Sequence, residues 1–62
     1  MISNQEQQDI QVGDIIEWQA HNRIVFGWVE ENEEGKYILM ESGKSFPLGD
    51  ICRCPSAKLV RQ

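Results

Sequence analysis

Apolar and polar residues alternate in short runs along most of this chain, and clusters of Gly, Asn, Glu, Ser and Pro separate the runs. Strict alternation puts successive side chains on opposite faces of an extended strand. In residues 14–19, behind Gly13, Ile16 and Trp18 fall on one face and Ile15, Glu17 and Gln19 on the other. Ala20, His21 and Asn22 then turn the chain. The next run, residues 23–31, is apolar on both faces, with Val25 and Val29 on one side and Ile24, Phe26 and Trp28 on the other. Gly27, between the valines, predicts a bulge or sharp bend. Asn32 to Gly35 form a turn in which Gly35 can take a positive φ and close a hairpin onto residues 36–41.

Ser42 and Gly43 turn the chain again into a short strand, residues 44–46, and Pro47 to Asp50 break it with a single 3₁₀ turn. Residues 51–54 read as a further short strand ended by Pro55, and residues 58–61 as a last edge piece. Closely spaced short strands without a helical period predict an all-β sandwich or small barrel. Closing the barrel would remove bare strand edges. Residues 1–9 are polar and Gln-rich, show neither period, and are expected to be a flexible, disordered tail ahead of one domain over residues 10–62.

Gly13 and Asp14 add a second kind of signal. The run Val12-Gly-Asp-Ile-Ile-Glu-Trp18, a turn, then Phe26-Gly-Trp-Val-Glu30 resembles the KOW-type entry of SH3-like barrels, over residues 12–31. It also looks like short bacterial proteins that consist of one such barrel. The resemblance implies a small five-stranded SH3-like barrel, and a family that often binds ribosomal RNA or RNA polymerase partners. The loops depart from it. KOW hairpins that touch RNA usually carry Lys and Arg between the first two strands, where this chain has Gln19, Ala20, His21, Asn22 and Arg23, and the next turn, residues 30–34, would repel phosphate.

Sixty-two residues make at most one domain, and a chain of this size buries only about 60% of its unfolded surface. Such domains often lean on a disulfide, a metal or a partner. The net charge of −4 is divided unevenly: residues 1–43 carry −7 and residues 44–62 carry +3. An acidic total disfavours nucleic-acid binding, whose energy comes largely from Lys and Arg displacing phosphate counterions. Lys44, Arg53, Lys58 and Arg61 nevertheless offer a basic half for a KOW-like nucleic-acid or ribosome-associated role, the alternative reading.

The reading favoured by the pattern is a non-enzymatic interaction module. Ile24, Phe26 and Trp28 exceed what one core face needs, and a large exposed apolar patch marks a protein contact or a self-association surface unless a terminal segment covers it. Glu30, Glu31, Glu33 and Glu34 sit at the adjoining turn as a solvated tip or an acidic knob for a basic partner.

Candidate chemistry is sparse. Cys52-Arg-Cys54 would put two thiols on one face of a strand, but structural zinc wants two pairs at wider spacing, and the chain has one histidine, His21. The pair lacks the spacing and helix N-terminus of a redox site. No nucleophile stands near His21 in sequence. Trp18, Trp28, Tyr37 and Phe46 are more simply core than an aromatic cage for methylated lysine. No catalytic residue, metal or cofactor is expected. The polar start lacks an apolar secretory stretch, and no run nears the ~20 apolar residues of a membrane helix, so a soluble, cytoplasmic protein with free thiols and no membrane partner is expected.

Overall fold

The alternation of the first two runs produces a hairpin, β1 (Ile15–Ala20) and β2 (Arg23–Asn32), in the computed structural model, which describes residues 1–60. β1 and β2 pair from Ile15↔Trp28 to Ala20↔Arg23. His21 and Asn22 close the hairpin with φ of 52° and 63°. Positive φ at both central positions is the two-residue turn whose twist matches that of paired strands. Ahead of β1, Gly13 at φ 97° lets its N–H reach the Val29 carbonyl (2.8 Å), while Asp14 Oδ2 accepts the Gln11 N–H (2.9 Å).

β3 (Gly35–Leu39) returns along β2 through a tight turn in which Asn32 Oδ1 accepts the Glu34 N–H at 2.8 Å and Gly35 takes the expected positive φ, 126°. β4 (Ser45–Pro47) and β5 (Lys58–Val60) are three-residue strands at the two margins. The result is one five-stranded antiparallel sheet in the order β4-β3-β2-β1-β5. The mostly-β architecture agrees with the alternation. Closure does not follow: among the described residues β4 and β5 do not pair with each other, and the sheet is open.

Two short helices occupy the open side, and both correct the sequence reading. Residues 1–9 are a docked segment and not a loose tail. Helix α1 (Asn4–Asp9) is capped by Ser3, whose Oγ accepts the Glu6 N–H at 3.1 Å. The helix buries none of its own residues; Ile2 and Ile10 on either side of it are 4% and 0% exposed and anchor it to the core. The Ile2 N–H also donates to the Cys52 carbonyl, at 3.0 Å.

Residues 51–54 are not a strand. Helix α2 (Leu48–Cys52) follows Pro47, and Leu48, Ile51 and Cys52, at helical spacings, are its buried face. The core is therefore the inner sheet face, Ile16, Trp18, Val29 and Ile38, closed by Ile2, Ile10, Leu48, Ile51, Cys52 and Ala57.

Gly27 forms no bulge; it keeps register opposite Ile16. A Cβ there would overlap the Ile38 side chain and lie 2.8 Å from the Leu39 carbonyl oxygen, so the residue answers to a close backbone approach.

Candidate functional site

Cross-strand partners share a face, so the register assigns the side of the sheet turned away from the core. Ile15 stands opposite both Val60 and Trp28, and Trp28 opposite Leu39. These four form a continuous apolar row across β5, β1, β2 and β3. The next row holds Lys58, Glu17 and Phe26, the one beyond it Gln19 and Ile24. On the other side lie Glu30, Tyr37 and Pro47.

Ile24 is 70% exposed and Phe26 44%, while Trp28, Ile15 and Leu39 are half-buried against one another. No terminal segment covers this face among the described residues: Ile10 is inside the core, and Val60 extends the patch instead of shielding it. The structure thus brings Ile24, Phe26 and Trp28 together, along with Ile15, Leu39 and Val60, which the sequence reading did not include. The signal for the added three is register, which alternation alone cannot supply.

The four glutamates divide. Glu30 lies on the outer face opposite Tyr37, whereas Glu31, Glu33 and Glu34 are exposed at the hairpin tip, Glu31 opposite Lys36. Lys58 is on the outer face, its Nζ 3.1 Å from Glu17 Oε1, the single ion pair among the described residues. Lys44 is in the β3–β4 turn, Arg53 caps α2, and Arg61 lies outside the described residues. Lys44, Arg53 and Lys58 thus stand on three separate elements.

The aromatics are also divided. Trp18 and Phe46 meet edge to face on the inner side, with ring centroids 6.4 Å apart, while Trp28 and Tyr37 point outward, so the four cannot enclose one methylammonium group. Cys52 is buried and Cys54 half-buried, both free. Burial, with a smaller contribution from Glu6, pushes the Cys52 thiol above its ordinary pKa of 9.0 and so disfavours the reactive thiolate. Among the described residues no three of His, Cys, Asp and Glu gather to hold a metal ion. Among the described residues no helix is long and apolar enough to cross a membrane. Compared with known proteins, the chain matches no family model, no curated protein and no solved structure.

Proposed function

We propose that this chain is a cytoplasmic, non-enzymatic interaction module of the SH3-like kind that binds a protein partner, or a second copy of itself, through the outer face of its sheet. The observation that carries the reading is the uncovered patch of Ile24, Phe26 and Trp28, continued by Ile15, Leu39 and Val60. Monomeric domains rarely leave so contiguous an apolar surface in water without a partner for it. A strand order that sets the last strand beside the first supports the SH3-like part of the proposal.

Glu30 and the Glu17–Lys58 pair edge the patch, giving a rim of charge around an apolar centre, the usual anatomy of a protein contact. The test is sedimentation velocity of the full chain, together with capture of partners from the native host, on wild type and on Ile24→Glu/Phe26→Glu. Both positions are exposed, so the variant should fold. It should lose self-association or the captured partner; a variant that sediments and captures as wild type does would sink the proposal.

A further inference from the structure

The inner face of the sheet is filled at one end only. α2 and the N-terminal segment cover Ile16, Val29 and Ile38, but toward the β1–β2 turn the same face stays open as a cavity of about 370 Å³. Its floor is Trp18, Val25, Met40 and Phe46, and its mouth is lined by His21, Arg23 and Lys44. The volume falls in the range of small-molecule sites.

The floor continues the core into solvent: Trp18 is 5% exposed and Phe46 36%. These two rings pack edge to face, with an interplanar angle of 82°. Met40 lines the same recess as Phe46, and a thioether makes favourable contacts with an aromatic ring.

The mouth is equally definite. The turn that carries Lys44 is held by Met40 N–H to the Lys44 carbonyl and Gly43 N–H to the Met40 carbonyl, each 2.9 Å. Neither Arg23 nor Lys44 has a carboxylate partner among the described residues, and Glu41, though close in sequence, does not line the cavity. In a protein of net charge −4, this apolar recess with an unneutralised cationic rim is complementary to a negative ligand.

We infer that the recess between the β1–β2 and β3–β4 turns binds a small planar aromatic anion, its ring against Phe46 and Met40 and its anionic group on Arg23 and Lys44. His21 adds a ring N–H donor at the same rim. Two cations suit one anionic group and not a long polyanion, which would need an extended positive track. They repel an organic cation.

The ring could come from a nucleoside monophosphate or from an aryl carboxylate, and the test separates them. The full-length ¹⁵N-labelled chain is titrated with adenosine 5′-monophosphate, with indole-3-propionate and with uncharged adenosine, and amide and indole shifts are followed. One or both anions should give saturable shifts at Trp18, Phe46 and Lys44 with none at Ile24 or Trp28 on the opposite face, and whichever binds identifies the source. Arg23→Glu/Lys44→Glu should weaken that binding by roughly tenfold or more, as expected when a charge-assisted contact is removed. Should that variant lose its fold, the wild type answers instead, because salt at about 1 M screens the rim and should weaken the anion. The inference is overturned if neither anion shifts these residues, if adenosine binds as well as its phosphate, or if affinity ignores both charge reversal and salt.

Discussion

His21 and Asn22 carry a cost that their neighbours do not. Side chains with a Cβ are strained at positive φ, and these two hold 52° and 63° so that the hairpin can turn in two residues. Asparagine tolerates that region better than most, which lessens the cost without removing it. Asn22→Gly should therefore stabilise the domain by about 0.5–1 kcal/mol, a rise in Tm of a few degrees for so small a chain. Thermal unfolding followed by circular dichroism decides it, and a lower Tm would show that the asparagine side chain contributes more than the strain costs.

Cys52 carries a different kind of consequence. Its thiol is 2% exposed and its pKa is raised in the folded state. A proton held more tightly by the folded than by the unfolded chain stabilises the fold. That stabilisation is complete below the ordinary value of 9.0 and is lost as pH climbs through the raised one. Urea midpoints measured from neutral to alkaline pH should fall for wild type more steeply than for Cys52→Val. With a thiol reagent, the half-buried Cys54 should react first.

At the scale of elements, β1, β2 and β3 were legible because alternation and turn residues agreed over five residues or more. The inside and outside of β2 followed from the same pattern. α2 was not legible: Ile51, Cys52 and Cys54 fit a short strand, and only Leu48 reveals the spacing that makes Leu48, Ile51 and Cys52 one helical face. α1 left a usable trace, Ser3 followed three residues later by Glu6, a pairing that caps helix starts. Its polar composition hid it, because the apolar anchors lie outside the helix, at Ile2 and Ile10. Ile2→Ala should cost about 2–5 kcal/mol, comparable with the whole stability of a domain this small, whereas Glu33→Ala at the exposed tip should cost almost nothing. Urea unfolding monitored by tryptophan fluorescence distinguishes the docked segment from a loose tail: equal midpoints for the two variants would mean that the segment does not hold the core.

The whole molecule measures 32 × 26 × 23 Å and exposes 4644 Å². One side of an ordinary protein interface, about 800 Å², would cover roughly a sixth of that surface. A partner on the sheet's outer face would therefore add appreciably to a marginal fold. If the partner is a second copy, Tm should rise with protein concentration, since association draws the folded state forward by mass action. A calorimetric series should show that rise in wild type and a flat response in Ile24→Glu/Phe26→Glu; a flat wild-type series leaves a foreign protein as the occupant. Neither the row from Val60 to Leu39 nor the recess behind Phe46 could be read from the sequence, because both arise where strands distant along the chain come into register.

Gly27 sets a limit on how this sheet can vary. The atom that blocks a side chain there is in part the Leu39 carbonyl oxygen, which belongs to the main chain, so trimming Ile38 cannot make room. In a saturation library selected for folded protein and read by sequencing, position 27 should return the parental residue alone, even in backgrounds carrying Ile38→Ala. Alanine recovered at position 27 in such backgrounds would mean that the strands can part there. If the parental residue alone returns, the obstruction is main chain, and no second-site change of a side chain opens a route around position 27.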